Sequence, residues 1–581
     1  MMSRLSNGLC LLLLACSLSL GAIRTASAAI LRVPEDQPTI GAALASALPG
    51  DEILVADGVY VGPENSDLDF SGRAIYVRSL DGPDGCIIDC AGLGRAFQFV
   101  SGEGPSSIVE GFTIRNGEAM NGGAILCVGA SPTIRACVFR NNRATVAALD
   151  VPAGGAVYAD RSHIQLDRCQ FFENYANAGG AVAAVDSTVL ATECAFVGNG
   201  RFDRFGFGGA LYLESSAKGT SHRLLDCHFS GNAAGDGHAL WGSNASIEMD
   251  RCEVGINQSP VAPDGFAIGC QGGALALRHL QVSQTRNACY VAHALVNVFE
   301  TRFEGCNEAI TAFGQTILRI ANTRFVRCGS CIGALLGPRV SVQNCLFIDV
   351  SGPTAISSAV QTSVEVTNCT ATLDPAYDPD TQEPWLMLNG GGVATLASSV
   401  IVGRGLPISS TVRVVRCAAS PIGDPAYPRF ANPLGPDGVS GTEDDDYRPL
   451  AGSPCIDSGA GVNAVQPDYF DVDQDGDVTE PTPLDLDGRP RFADDPLTLD
   501  MLPGPPAPRL DAGAYELVRP CVTPGDVTAD GLVSIADLST ILRHLGVSSG
   551  AILGEGDLDG DHDVDTSDLA ALLANFGVDC R

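Results

Sequence analysis

Two stretches near the C-terminus place oxygen-bearing side chains on alternate residues, 31 positions apart. The first runs Asp526-Val-Thr528-Ala-Asp530-Gly531-Leu532-Val533-Ser534-Ile-Ala-Asp537. The second runs Asp557-Leu-Asp559-Gly-Asp561-His562-Asp563-Val564-Asp565-Thr-Ser-Asp568. Calcium is a hard cation that takes about six to eight oxygens, and a loop of about twelve residues supplies them from alternate side chains, one carbonyl and a closing acid. In the first loop those donors are Asp526, Thr528, Asp530, the Leu532 carbonyl, Ser534 and Asp537. In the second they are Asp557, Asp559, Asp561, the Asp563 carbonyl, Asp565 and Asp568. Without a cation, so many carboxylates would repel one another. Both copies keep Val at the eighth position and an apolar helix behind it, expected over Leu538–Leu545 and Leu569–Phe576. His562 stands where such a loop turns sharply on Gly, so it must take an unusual backbone angle.

A third acidic run, Asp471-Val-Asp473-Gln-Asp475-Gly476-Asp477, is either an additional calcium site or a solvated acidic loop; Thr482, not an acid, fills its twelfth position. Another chemistry-bearing stretch is the insertion at 200–207. There Arg201, Asp203, Arg204, Phe205 and Phe207 offer stacking and hydrogen bonding to a sugar, unless they pack as an ordinary turn. Evidence for catalysis is thinner. A glycosidase needs two positioned carboxylates, and Asp236-Gly-His238 has no Asp-Asp pair beside it. His163, His222, His228 and His293 are isolated. Cys328-Gly-Ser-Cys331 is a lone CxxC, and the cysteines show no zinc-type spacing.

These groups must be carried by a repeat. Between residues 122 and 257 the pattern Gly-Gly-Ala-aliphatic followed by Cys-x-Phe-x-x-Asn returns five times, the fifth degraded to Gly237-His238-Ala239-Leu240. Its Cys, Phe and Asn fall at Cys137, Phe139 and Asn142; at Cys169, Phe171 and Asn174; at Cys194, Phe196 and Asn199; at Cys227, Phe229 and Asn232; and, with Val254 in place of Phe, at Cys252 and Asn257. Successive cysteines lie 32, 25, 33 and 25 residues apart, which marks a repeat architecture. Within each unit apolar residues alternate, as at Ile164 and Leu166, so the units are strands punctuated by Gly and Asn turns. No helical period runs through them. Stacked coils of short parallel strands remain, with equivalent residues about 4.8 Å apart. The five cysteines share one repeat position and are expected to form an inward column of small apolar side chains. Thr301, Thr323, Cys345 and Cys369 continue it in later, shorter coils. Cys86 and Cys90 are close enough in sequence to pair across a turn.

The motif pair GGA[ILV] and FxxN resembles the repeat of bacterial polymorphic outer membrane proteins and of the wider pectin-lyase-like group. That resemblance implies a right-handed parallel β-helix and says little about chemistry. The group includes polysaccharide lyases and glycosidases. Residues 521–581 resemble a type I dockerin, a duplicated loop and helix that binds cohesin modules in a calcium-dependent way. The resemblance implies a cohesin-like partner and a small all-α, EF-hand-like domain. Thr528 departs from the usual Asn or Asp. Cys521 and Cys580 bracket the module and are candidates for a disulfide joining its ends.

Residues 1–28 read as a secretory signal, with Arg4, the apolar run Leu9–Ala15 and the small residues Ala26-Ser27-Ala28. A lipoprotein signal ending at Cys16 is the weaker alternative. No later stretch is apolar enough for a membrane helix. The expected domains are therefore the signal 1–28, a β-helix over 29–416, a cap or linker rich in Pro, Gly and Asp over 417–520, and the dockerin-like unit over 521–581. A short helix around Ile40–Leu48 is expected to cover the open N-terminal end. Net charge is −33, of which residues 437–581 carry −23, so nucleic acid is excluded as a partner. Three functions fit: a secreted or surface β-helix that binds polysaccharide or protein and docks through calcium; a polysaccharide lyase or glycoside hydrolase; or a structural adhesion protein.

Overall fold

The computed structural model describes residues 28–145, 153–200, 206–216, 220–258, 262, 264–352, 354–373, 385–389, 392–402, 412–420, 428–460, 465–492, 510–517, 525–527, 533–548, 556–558 and 562–578. The chain winds as a right-handed parallel β-helix with three sheets. The first holds sixteen strands, from Ile30–Val33 to Arg413–Val415. The second holds fifteen, from Gly58–Val61 to Ala418–Ser420, and the third thirteen, from Leu68–Asp69 to Trp385–Asn389. Each coil passes through them in that order, and every strand pairs in parallel with its counterparts one coil away.

The repeat maps directly onto the coil. Between the first and second sheets the chain turns on one residue in the left-handed region, such as Arg168, Glu193 or Asp226, with φ of 51°, 51° and 53°. The Cys follows, pointing inward and almost fully buried. Its Sγ bonds the carbonyl two residues back, as from Cys137 to Arg135 O at 3.2 Å. Thr301 and Thr323 make the same bond with a hydroxyl, at 3.0 and 2.9 Å. Cys, Thr and Ser therefore interchange here because each is small and each donates locally. The Phe side chains stack inside the second sheet. Phe139, Phe171, Phe196 and Phe229 lie with centroids 4.8 to 4.9 Å apart and rings nearly parallel. The Asn residues form a buried ladder at the next corner. In Asn174 the backbone N–H and Nδ2 both donate to Asn199 Oδ1, and Nδ2 also donates to Phe139 O. After Asn257 the ladder position passes to Thr285, Cys306 and Cys328, so the CxxC cysteine Cys328 is a core side chain. The β-helix cysteines, Cys86 and Cys90 included, are free thiols. Burial pushes Cys137 and Cys270 up to about 12, which keeps them protonated and unreactive.

The N-terminal helix is Ile40–Ser46, capped by Thr39, whose hydroxyl accepts Ala42 N–H at 3.1 Å. Ile40, Ala43 and Leu44 are buried, but the helix ends before Leu48, which is 62% exposed. The amphipathic spacing extended the helix too far, because the chain is already extended at Ala47.

Residues 428–460, 465–492 and 510–517 lie along one flank of the later coils. Arg302 donates to Gly441 O, Gln343 to Thr482, and Asn344 to Leu484 O. Tyr447, Ala514 and Tyr515 bury Val326, Leu346 and Ile348. Arg491, wholly buried, donates to Asn344 Oδ1 and Ala514 O, each at 2.8 Å, and lies 3.4 Å from Glu516. The described contacts of this region thus run along the coils' outer corner.

Near the C-terminus are helices Ile535–His544 and Thr566–Ala574. Each begins three residues before its expected start, because Ser534 and Asp565 act as N-caps and Asp537 and Asp568 complete capping boxes. Val527, Val533, Ile541, Val564 and Leu572 form their shared core. The halves are related by the 31-residue offset: Val533 bonds Gly577 and Val578, and Val564 bonds Gly546 and Val547.

Candidate functional site

An outward row of aromatic side chains crosses the third sheet. Tyr158, Ala183, Tyr212, Trp241, Gly269 and Tyr290 follow one another in register. Their sequence neighbours face the core, so these six share the outer face. Small residues make room for the rings. Ala183 is covered by Tyr158 and Tyr212. A Cβ on Gly269 would stand 2.2 Å from the Trp241 ring, so the indole lies flat across that glycine. Trp241 and Tyr290 are 6.5 Å apart at 11°.

Phe207, expected from sequence to contact a sugar, joins this row. It pairs with Ala178 and Asp236, is 41% exposed, and has its ring 5.2 Å from Trp241. Arg201, Asp203, Arg204 and Phe205, from the same insertion, lie outside the described residues. Phe266 adds a further ring 5.3 Å from Tyr290.

Carboxylates border the row. Tyr212 donates its hydroxyl to Glu214 Oε2 at 3.0 Å. Burial and then Glu214 push the Tyr212 phenol above its usual range. Burial, followed by Asp160, does the same to Tyr158. Asp236 is raised by burial and contributes to the rise of Tyr290. Two residues on, His238 is held neutral by burial, pushed down to about 4, and its Nδ1 accepts Ala234 N–H. The surface offers flat apolar faces edged by acceptors, which suits the apolar faces and hydroxyls of a sugar ring. Tyr158, Tyr212, Trp241 and Tyr290 were not singled out from sequence. A signal existed, since three of them directly follow the Gly-x-Ala-aliphatic motif at 154–157, 208–211 and 237–240.

In the C-terminal loops, Asp526, Asp537, Asp557 and Asp568 are buried. Asp563, Asp565 and Asp568 bring carboxylate oxygens within 4.8 Å of one another. His562 has φ 71°, the strained angle expected of a non-glycine there, and its N–H donates to Asp557 Oδ2 at 3.0 Å. Ser534 lies at the helix cap. Thr528, Asp530, Leu532, Asp559, Asp561, Cys521 and Cys580 lie outside the described residues. The donors present are hard oxygens, the set a calcium ion takes.

In the third acidic run, Asp471, Asp473 and Asp475 share one 4.8 Å cluster. Asp477 instead accepts both the N–H and the hydroxyl of Thr479, at 2.9 and 2.6 Å. A cavity of about 380 Å³ lies between this flank and the coils, lined by Glu300, Arg302, Asn322, Arg324, Val472 and Asp487 among others. Arg302 there is already engaged by Glu304 and Gly441 O.

No described helix is long and apolar enough to cross a membrane. Residues 86–254 match the family described as right-handed beta helix region. No curated protein matches the chain. Among solved structures, the chain is similar to ORF18 of Geobacillus virus E2, with 13% identity and a TM-score of 0.31 over 50% of this chain and 52% of that one. It thus spans about half the length of that protein. It is similar to a mannuronic acid specific polysaccharide family 6 lyase from human gut microbiota, with 11% identity, a TM-score of 0.35, and coverage of 62% and 91%. It is also similar to a family 28 exopolygalacturonase of Yersinia enterocolitica, with 9% identity, a TM-score of 0.32, and coverage of 68% and 79%. The matched family and the three stacked sheets agree on one statement: this chain carries a right-handed parallel β-helix.

Proposed function

We propose that this protein is an exported β-helix rod that binds polysaccharide along the aromatic row of its third sheet. A calcium-dependent docking module at its C-terminus attaches it to a cohesin-like partner. The observation that carries the reading is the row Tyr158, Tyr212, Trp241 and Tyr290, in register over six coils with Ala183 and Gly269 between them and Phe207 beside it. A linear glycan can lie across such a row, one ring per aromatic. Asp160 and Glu214 border it, so a polyuronate would meet like charges and a neutral glycan would not. Binding to immobilised neutral glucans and polyuronates tests this. Trp241→Ala with Tyr212→Ala is expected to weaken glucan binding at least about tenfold, about 1.4 kcal/mol. Unchanged affinity would remove the row from the site.

Docking rests on the paired acidic loops and their offset symmetry. Asp557→Ala with Asp559→Ala should lower calcium affinity of the tail, and chelation should release a captured cohesin module. Unchanged calorimetry contradicts the loop assignment. The second reading is a glycoside hydrolase or lyase on the same face. Asp236 favours it, a carboxyl kept toward its neutral form by burial next to aromatic rings. It requires a second carboxylate or a base opposite Asp236. Reducing-end or unsaturated products from a polysaccharide panel, lost in Asp236→Asn, would establish it. No binding across a glycan array would leave the third reading, a structural adhesion rod.

A further inference from the structure

We infer that the segment 466–482 holds a calcium ion between Asp468, Asp473 and Glu480, and that this ion fastens the segment to the flank of the later coils. The inference rests on no part of the docking reading and uses none of its residues. Asp468 is completely buried. Its Oδ2 accepts Val472 N–H at 2.8 Å, whereas its Oδ1 has no donor. Glu480 Oε1 is likewise buried without a donor. A buried carboxylate oxygen with no partner is costly, and two of them belong to this one cluster. Oxygens of Asp468, Asp473 and Glu480 all lie within 4.8 Å of one another. Oxygens about 2.3–2.6 Å from one calcium ion are at most about 5 Å apart, so one ion can touch all three. Asp471 and Asp475 form a second 4.8 Å group with Asp473 and extend the donor set on the solvent side. No Lys, Arg or His lies between residues 465 and 482 themselves, and the Arg319 guanidinium beside them is stacked on the Tyr469 ring. An all-oxygen donor set of this charge selects calcium over softer metals.

This ligand set differs from an ordinary twelve-residue loop. Asp468 precedes the alternating run, and Thr482 is spent on Gln466 O and Gln343. What the ion would close is a hairpin: Asp468 N–H bonds Glu480 O, and Thr482 N–H bonds Gln466 O. That hairpin grips the coils through Gln466 to Glu365 O, Phe470 on Phe299, and Tyr469 under the Arg319 guanidinium. Val472, beside the cluster, also lines the flank cavity.

Hydrogen exchange of the full chain, with calcium and with chelator, tests the proposal alongside calorimetric calcium titration. Calcium should slow exchange of 466–482 at least tenfold. Asp468→Asn keeps an acceptor for Val472 N–H and should abolish that protection while removing one calcium equivalent. Glu480→Gln, nearer the surface, provides the same readout if the first variant does not fold. Asp557→Asn with Asp568→Asn should leave protection of 466–482 unchanged. Equal exchange of 466–482 with and without calcium would overturn the inference, as would full calcium stoichiometry in both Asp468→Asn and Glu480→Gln. Calcium bound only by the C-terminal loops would overturn it too.

Discussion

Coils 122–257 and coils 299–400 follow one backbone path and finish their outer corner with different chemistry. In the earlier coils the left-handed corner residue is Arg168, Glu193, Asp226 or Arg251, each exposed. In the later coils it is first Glu300, still exposed at φ 45°, and then Asn322, Asn344, Asn368 and Ser398, at φ 47–51° and each buried. Those side chains meet the flanking region: Asn344 bonds Leu484 O and Arg491, and Ser398 accepts Ala460 N–H. The interior changes in the opposite sense. The earlier coils hold their second corner with the Asn ladder, whereas the later ones place Cys306, Cys328 and Val350 there. One half is thus bound from within and the other from outside. Asn suits the later corner doubly, since it tolerates the left-handed region and presents both a donor and an acceptor.

The largest effect should come from the outside fastening. Arg491→Ala leaves Glu516 buried without its cation and strips donors from Asn344 and two carbonyls, a loss of about 3–5 kcal/mol. Limited proteolysis should then cut within 428–517 first, while coils 122–257 keep their melting temperature. Coincident melting of both regions would break the distinction.

Next comes the inside fastening. Asn199→Ala removes the acceptor for Asn174 and the donor to Phe171 O, at a cost of about 3 kcal/mol. Urea unfolding should register it in the earlier coils, with the flank still protected from protease.

A third measurement uses acidity. His222 and His238 are buried in the earlier coils, and burial pushes each down to about 4. With folded values below the unfolded one, their contribution is complete above about pH 6.5 and is lost as pH falls toward 4. The urea midpoint of the earlier coils should therefore drop between pH 7 and pH 4.5. His222, wholly buried, pairs with Ile247 on the next coil. His222→Ile should gain about 1 kcal/mol at pH 7 and flatten part of the pH slope. An unchanged slope would mean that other groups titrate.

The smallest effect belongs to a position both halves share. Cys194→Thr keeps size and the local bond, as Thr301 and Thr323 do, and should shift stability by less than about 1 kcal/mol. A larger loss would mean that the two halves do not tolerate the same inner column.

The coil itself was legible because its cause is local and periodic. Cys, Phe and Asn each recur at a fixed offset from a corner, and each offset became a column. The landing place of 428–517 was not legible. Asn344 and Arg491 are 147 residues apart and no period links them. Leu48 fell on the right helical face of a helix that had already ended. The aromatic row was half legible. Three of its rings sit one place after a repeated motif, but Ala183 and Gly269 take the same place on intervening coils, so the row shows only when strands are set side by side. Asp468 was missed because it precedes the alternating acids, and only burial distinguishes it from them.

The column of buried thiols at the first corner has one further consequence. A β-helix is close to a one-dimensional stack, so it can fray from an end or breach in the middle. Cys137, Cys169, Cys194, Cys227 and Cys252 mark successive coils of the earlier half, and Cys345 and Cys369 mark two of the later. Each thiol is protected only while its own coil stays shut. Brief exposure to an alkylating reagent, followed by peptide mapping, would turn that column into a ruler along the rod, with the order of labelling tracing the path by which the molecule comes apart.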